Sequence, residues 1–382
     1  MKRQINRINF IYIFSYLGDA LFSPFLALYF SSINIGEYQK GILLALIPFS
    51  SLVGNLIYGK LSNSAKKNLM ILRILLIFNL IPMFLMGLVK NYILIAILTI
   101  VFAFHNNAFF QFQDGIAVNI SSFEKTIYSN TRVLGTIGYF IGSLVGGYLI
   151  DLTNYTLVFI IAALIYTFVE YMFIFVKPYD QKMVQNQEIS FKQLFLNKQF
   201  VYYLVFYILV LGNWSIQEAY VSLFFEKDGI GVSLWGYVYA FEILIEALTI
   251  FIINRYFRKF GYKNILLVAI SLMILRSGLL SLEFNVYVKL ISTCLIRGIA
   301  WGSLLSSHIE MMKKMIGETL ITKGVLTLSV ITNIYVTMGN YFAPYIYTNL
   351  NFELLYLFLA LIQLIGLIVY VIFIYRLKIK ME

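Results

Sequence analysis

The sequence places charged side chains inside stretches that are otherwise apolar. They are Asp19, Glu170, Glu218, Glu242, Glu246, Arg276 and Arg297, with Asp114 and Arg132 nearer the ends of their stretches. A charge at the centre of a bilayer costs roughly 2.5–3.5 kcal/mol on insertion scales. Any one of them could be a structural ion pair or a snorkelling side chain. The whole set predicts a polar pathway for a solute or for protons.

The spacing puts several polar side chains on shared helical faces. These faces are Asn107, Gln111 and Asp114; Tyr239, Glu242 and Glu246; and Asn213 and Gln217, with Trp214 and Glu218 beside them. Carboxylates and amides exchange hydrogen bonds with hydroxyl groups, and aromatic rings stack on flat ligand faces. The faces therefore favour a hydroxyl-rich or heteroaromatic ligand.

The composition requires a membrane to hold these faces. Of 382 residues, 60% are hydrophobic and 12% are charged, and the mean hydropathy is +0.83. A soluble domain carries roughly 25% charged residues. The net charge of +11 is scattered in small clusters between apolar runs, which is typical of orientation signals and not of nucleic-acid binding.

Twelve apolar runs are long enough to span a bilayer. They lie at 9–30, 40–60, 69–89, 92–113, 132–150 and 154–176, and then at 200–222, 231–254, 264–281, 285–306, 322–345 and 353–375. The sequence predicts an all-α integral membrane protein with twelve transmembrane helices in two pseudo-symmetric six-helix bundles. The bundles are residues 1–176 and 200–382, joined by a cytoplasmic loop at 177–199.

Basic residues predict the orientation. The segments expected inside hold many lysines and arginines, whereas the outer loops hold Lys40, Lys90, Lys227 and Lys289. We therefore expect both termini in the cytoplasm. Gly135, Gly138, Gly142 and Gly146 share one face of the fifth helix, which predicts a close approach of another helix.

Several chemistries leave no signature in the sequence. We find no glycine-rich phosphate loop, nucleophile elbow or metal-ligand spacing, which disfavours an ATP-driven pump, a metal site and an enzyme. We expect no cofactor, and the proton gradient as the source of energy.

Two motifs resemble the major facilitator superfamily. The loop signature between helices 2 and 3 is matched by Gly59, Leu61, Asn63, Lys66 and Lys67, where Asn63 replaces an acid and the second glycine is absent. Asp114 lies eighteen residues before Arg132, which opens Arg132-x-x-Gly135-x-x-Gly138-Tyr139. This region is similar to lactose permease and its oligosaccharide:proton symporter and phenylpropionate-permease relatives.

The resemblance implies Asp114, Arg132, Tyr139 and Glu242 as substrate contacts, with Asn107 and Gln111 on the same polar face as Asp114. Lys263-Asn264, followed by Arg276, resembles the Lys-Asn start of helix 9 in this family and its intramembrane arginine. The resemblance implies that Arg276 serves proton coupling. The His-x-x-Glu pair of helix 10 is replaced by Leu295-Ile296-Arg297-Gly298-Ile299. Coupling would then use Glu242 or Glu218, with Arg276 and Arg297.

We therefore expect a monomeric, multi-pass secondary transporter of a bacterial inner membrane, in contact with lipid and a small-molecule solute. The leading hypothesis is proton-coupled symport of a sugar, nucleoside or small aromatic acid by alternating access. The alternatives are a proton-coupled drug or metabolite efflux antiporter and, more remotely, a polytopic membrane enzyme without transport activity.

Overall fold

The computed structural model describes residues 4–62, 64–177, 179, 192–317 and 320–376, and long helices make up most of this part. The first six are α1 (Gln4–Ser32), α2 (Glu37–Leu61), α3 (Ala65–Met86), α4 (Tyr92–Phe123), α5 (Tyr128–Leu152) and α6 (Tyr155–Phe173). The next six are α7 (Lys198–Lys227), α8 (Val232–Phe257), α9 (Tyr262–Ser281), α10 (Val286–Ile316), α11 (Ile321–Asn349) and α12 (Phe352–Arg376).

The twelve-helix all-α membrane fold is confirmed. Within the described residues, eleven helices are long and apolar enough to cross a membrane, and α11 has 29 residues. A span needs about 20 residues. Only helices satisfy every backbone N–H and C=O group within one spanning segment, so apolar runs of this length fold as helices in a bilayer.

Asparagine side chains fix the start of several helices. Asn91 Oδ1 accepts hydrogen bonds from the backbone nitrogens of Ile93 at 3.0 Å and Leu94 at 3.2 Å, and so caps α4. Asn154 caps α6 through Leu157 N at 2.9 Å. An asparagine cap satisfies backbone donors that the first turn of a helix leaves unpaired. These caps set short turns between consecutive spans.

Local changes of winding interrupt three helices. A 3₁₀ turn at Ser23–Phe25 breaks α1, and π-helical turns lie at Ile208–Gly212 in α7 and at Ile253–Phe257 in α8. Pro24 has no backbone N–H and cannot continue the α-helical ladder. The two π turns shift the angular positions of the side chains that follow them.

The helices form two compact units. The described residues of 4–179 and 229–240 form unit 1, and those of 192–228 and 241–376 form unit 2. In unit 1, a Cβ atom on Gly138 would lie 2.1 Å from the carbonyl oxygen of Ile13, and one on Gly142 would lie 2.6 Å from that of Leu17. The predicted glycine face is thus confirmed as the contact of α5 with α1.

Candidate functional site

A cluster of five charged side chains lies in unit 2. Glu218 on α7 contacts Arg276 on α9, with 2.8 Å between Oε1 and Nη2. Its other oxygen, Oε2, lies 3.1 Å from Nε of Arg297 on α10. One carboxylate therefore joins two guanidinium groups from two further helices.

Two carboxylates of α8 complete the cluster. Oε2 of Glu242 lies 3.3 Å from Arg297 Nε, and Oε2 of Glu246 lies 3.5 Å from Arg297 Nη1. Glu242 and Arg276 are each only 1% exposed. Arg297 consequently contacts three carboxylates, of which Glu242 is buried while the side chains of Glu218 and Glu246 are each 21% exposed.

Glycines of α10 bring Arg297 up to the acids of α8. A Cβ atom on Gly298 would lie 2.8 Å from the carbonyl oxygen of Glu242, and one on Gly302 would lie 2.8 Å from that of Glu246. Only a helix without side chains at these positions can approach so closely. The glycine after Arg297 is therefore part of the reason that its guanidinium reaches both acids.

An aromatic ring covers one side of the other guanidinium. The Arg276 guanidinium carbon lies 4.6 Å from the ring centroid of Trp214, and the Trp301 ring is parallel to that of Trp214 at 6.3 Å. A cation over an indole face is attracted by the ring quadrupole. Trp214 is buried, so Arg276 is held in one position between Glu218 and the ring.

The cluster contains one more acidic group than basic groups: Glu218, Glu242 and Glu246 against Arg276 and Arg297. A net charge inside a membrane protein is costly. Binding one proton to a carboxylate would make the cluster neutral. The arrangement can therefore take up and release a proton through its own side chains.

A second polar cluster lies in unit 1. The Tyr12 hydroxyl donates a hydrogen bond of 2.6 Å to Asp114 Oδ1. The Arg132 guanidinium carbon lies 4.7 Å from the ring centroid of Tyr16. The side chain of Arg132 is exposed. It can therefore offer its donors to a ligand.

Aromatic rings extend this cluster along unit 1. Centroid distances are 6.5 Å between Tyr16 and Tyr139, 6.1 Å between Tyr139 and Tyr239, and 5.8 Å between Tyr239 and Trp235. We call Tyr12, Tyr16, Asp114, Arg132, Tyr139 and Tyr239 the aromatic face. Such a face can stack on a sugar or a base while its acid and guanidinium bind hydroxyl groups.

Two further predicted substrate contacts lie on α4, close in sequence to Asp114. Asn107 and Gln111 are exposed, and Gln111 Nε2 donates to Asn107 Oδ1 at 3.3 Å. Glu242 was predicted both as a substrate contact and as a coupling residue. The structure places Glu242 in the charge cluster of unit 2.

Two charges found in the sequence belong to neither cluster. Asp19 Oδ1 accepts hydrogen bonds from Ser23 at 2.8 Å and Asn106 at 3.0 Å. Glu170 pairs with Arg73 at 2.6 Å.

The predicted loop signature lies at one end of α2 and α3: Gly59 and Leu61 close α2, and Lys66 and Lys67 open α3. Asn63 lies outside the described residues.

Sequence reasoning missed Tyr12, Tyr16 and the ring of Trp214 over Arg276. Tyr12 and Tyr16 are spaced i, i+4 and share a face of α1. That signal is weak, because the chain contains 29 tyrosines and most of them can be explained by packing.

Comparison with known proteins agrees with this fold. The chain is 19% identical over 372 residues to an uncharacterized transporter, YwbF, of Bacillus subtilis (strain 168), covering 96% of this chain and 92% of that protein. It is 28% identical over 165 residues to a sucrose permease of Escherichia coli, covering 39% and 38% of the two chains.

Solved structures give the same fold. A single-substitution mutant of the nucleoside transporter NupG superposes with a TM-score of 0.83 at 14% identity, covering 97% of this chain and 99% of that one. The NupG structure without this substitution superposes with a TM-score of 0.81. The sequence profile of the MFS_1 like family matches residues 5–373. This chain is therefore a polytopic membrane transporter that belongs to the MFS_1 like family of the major facilitator superfamily.

Proposed function

We propose that this transporter carries a proton together with a sugar or a nucleoside across a bacterial inner membrane by alternating access. The observation that carries the proposal is the charge cluster, in which three carboxylates face two buried guanidinium groups. The proposal includes symport, the direction of transport and the class of solute. It also places the chain in the lactose-permease branch of the superfamily, which the helix 4–5 motif resembles.

Proton binding gives the cluster two states of different charge. With one proton bound, acids and bases balance; without it, one negative charge remains in the core. If two conformations expose the cluster to water to different extents, the free-energy difference between them depends on whether the proton is bound. A bound proton can therefore shift the equilibrium between conformations, which coupling requires.

The aromatic face supports a solute with hydroxyl groups and at least one flat surface. Asp114 can accept from hydroxyl groups, and Arg132 can donate to them. The half-buried Tyr139 offers a ring to a sugar or a base, and the buried Tyr16 supports Arg132 beside it. Two similar proteins, a sucrose permease and a nucleoside transporter, support the same two solute classes.

Transport into liposomes tests the coupling. Purified protein in vesicles with an acidic exterior is supplied with radiolabelled sucrose, glucose, uridine or adenosine. We expect at least one solute to accumulate above its external concentration, and a protonophore to abolish the accumulation. Drug extrusion driven by the gradient, with no accumulation of any of these solutes, would favour efflux by antiport.

Glu242→Gln separates coupling from movement of the solute. The amide keeps the size of the side chain but cannot bind and release a proton. We therefore expect exchange of solute across the membrane to continue, while accumulation of solute driven by the proton gradient falls at least tenfold. Glu170→Gln is the matched control, because Glu170 pairs with Arg73 outside the cluster. Wild-type accumulation in Glu242→Gln would exclude Glu242 as the coupling residue.

Arg132 tests the aromatic face. A solute that binds the folded protein raises its melting temperature by mass action. We expect the transported solute to do so for wild type, to have no effect on Arg132→Ala, and to have a reduced effect on Arg132→Lys, because an ammonium cannot form the paired hydrogen bonds of a guanidinium. An undiminished shift in Arg132→Ala would remove Arg132 from the binding site.

A further inference from the structure

We propose that unit 2 binds an anionic phospholipid of the phosphatidylglycerol type in a groove between α8, α9 and α10. The acyl chain would lie in the groove, and the phosphate would contact basic side chains at its end. We call this groove, lined by Thr249, Ile253, Phe257, Asn264, Val268 and Ile299 among others, the lipid groove.

The groove follows from how α8 and α10 cross. The two helices touch at Gly298 and Gly302, where a Cβ atom on Gly302 would lie 2.8 Å from the side chain of Thr249. Beyond Thr249, α8 changes to π winding at Ile253–Phe257. A cavity of about 480 Å³ opens there against the first turns of α9. That space is large enough for part of an acyl chain.

The walls of the groove are apolar and accessible. Phe257 is 46% exposed, Phe260 54%, Val268 53% and Ile299 39%. The polar members of the lining are Thr249, Asn264 and Ser303. An acyl chain that fills the groove gains dispersion contacts which an empty cavity lacks. A hydrocarbon chain therefore fits the walls better than a polar solute does.

Basic residues lie beside lining residues at the end of the groove, and Lys259 Nζ lies 5.7 Å from the ring centroid of Phe260 in the lining. Arg255 and Lys259 are exposed and alternate with the exposed rings of Tyr256 and Phe260. Lys263 directly precedes Asn264 of the lining. Aromatic and basic residues together are typical of the level of the lipid headgroups.

The end of α10 adds more positive charge. Lys314 Nζ lies 5.5 Å from the ring centroid of Tyr262, next to Lys263 in sequence. The positive charge at this end complements an anionic phosphate, and basic groups at a membrane surface attract anionic lipids. A zwitterionic lipid has no net charge to match it.

Thermal melting of detergent-purified protein tests the site. We expect phosphatidylglycerol to raise the melting temperature of wild type more than phosphatidylcholine, and glycerol phosphate, which has no acyl chain, to leave it unchanged. Arg255→Gln with Lys259→Gln removes two charges of the headgroup site. We expect it to lower the apparent affinity for phosphatidylglycerol about 25-fold, at roughly fivefold for each basic residue.

Two further variants separate lipid binding from general effects of charge. Val268→Trp fills the groove and keeps every basic residue, and we expect it to remove most of the difference between the two lipids. Lys125→Gln with Lys177→Gln removes two basic charges from unit 1, and we expect the difference to remain. Equal responses of wild type to both lipids, or an unchanged difference in the Arg255 and Lys259 variant, would overturn the proposal. Since the test measures binding and not transport, its outcome is independent of the proposed symport.

Discussion

Arg297 holds the charge cluster together, because its guanidinium contacts Glu218, Glu242 and Glu246 from two other helices. Arg276 contacts the ring of Trp214 and one carboxylate, that of Glu218. Removing one partner of a buried ion pair leaves an uncompensated charge, and this is more costly than the pair itself is favourable. Because acids outnumber bases in the cluster, removing a base should cost more stability than removing an acid.

Substitutions of a base and of an acid in this cluster should therefore differ strongly in stability. Arg297→Gln leaves three carboxylates beside one guanidinium, and we expect a loss of about 3–5 kcal/mol in the free energy of unfolding. Glu242→Gln brings acids and bases into balance, and we expect a change below about 1 kcal/mol. Melting of both variants in detergent, without solute, measures the difference.

Arg73→Gln is the control for this comparison, since Arg73 pairs with a single acid and its side chain is 40% exposed. We expect it to cost less than Arg297→Gln, because exposed pairs contribute little. Equal destabilisation by Arg297→Gln and Glu242→Gln would show that the charge balance of the cluster does not govern its stability.

At the scale of the helices, close crossings position both sites. Gly135, Gly138 and Gly142 set the contact of α5 with α1, which brings Arg132 and Tyr139 beside Tyr16. Gly298 and Gly302 do the same for α10 and α8. In hydrocarbon, close packing of small residues brings helices together, because lipid tails are as apolar as the helix surfaces.

A methyl group at one of these crossings should separate the helices. Gly138→Ala would place a Cβ atom 2.1 Å from the carbonyl oxygen of Ile13, so the backbones must move apart. We expect a loss of about 1–3 kcal/mol, as for other overpacked interiors, and weaker solute binding by the aromatic face. Thermal melting and the solute-induced shift measure the two effects.

Gly278→Ala is the matched control, since no other helix in the described part of the chain comes within 4 Å of a Cβ atom built at this position of α9. We expect its stability to stay within about 0.5 kcal/mol of wild type. A Gly138→Ala protein as stable as the Gly278→Ala protein would show that the α1–α5 contact tolerates separation.

At the scale of the whole molecule, the basic residues predict the orientation in the membrane. Every short turn expected inside carries lysine or arginine, whereas the outer loops together hold only four lysines. Lys90 lies just before α4 and Ser122 lies near its end, and the predicted orientation places them on opposite sides of the membrane. The chain has one cysteine, Cys294, which makes labelling of single introduced cysteines direct.

In a Cys294→Ser background, we expect Lys90→Cys to react with a membrane-impermeant maleimide in intact cells. Ser122→Cys should react only after the membrane is permeabilised, because the positive-inside rule places that end of α4 in the cytoplasm. The Cys294→Ser protein without a new cysteine gives the background. Labelling of Ser122→Cys, but not of Lys90→Cys, in intact cells would reverse the predicted orientation.

The sequence by itself determined the class and the helices of this protein. Apolar runs predicted all twelve spans, although the runs predicted at 9–30 and 200–222 fold as the longer segments Gln4–Ser32 and Lys198–Lys227. The bilayer is the reason, because a chain this apolar must satisfy its backbone within each span. The glycine spacing of α5 also predicted a close contact, but not that its partner is α1.

Only the tertiary structure decided which charges meet. Glu218 and Arg297 lie 79 positions apart in sequence, and no local pattern states that Arg297 contacts both acids of α8. Tyr12 reaches Asp114 on α4, and Tyr16 reaches Arg132 on α5, only because α1 packs against both helices. Hydropathy is local and can be read from one segment. A charge cluster depends on the packing and rotation of four helices, which their separate sequences do not contain.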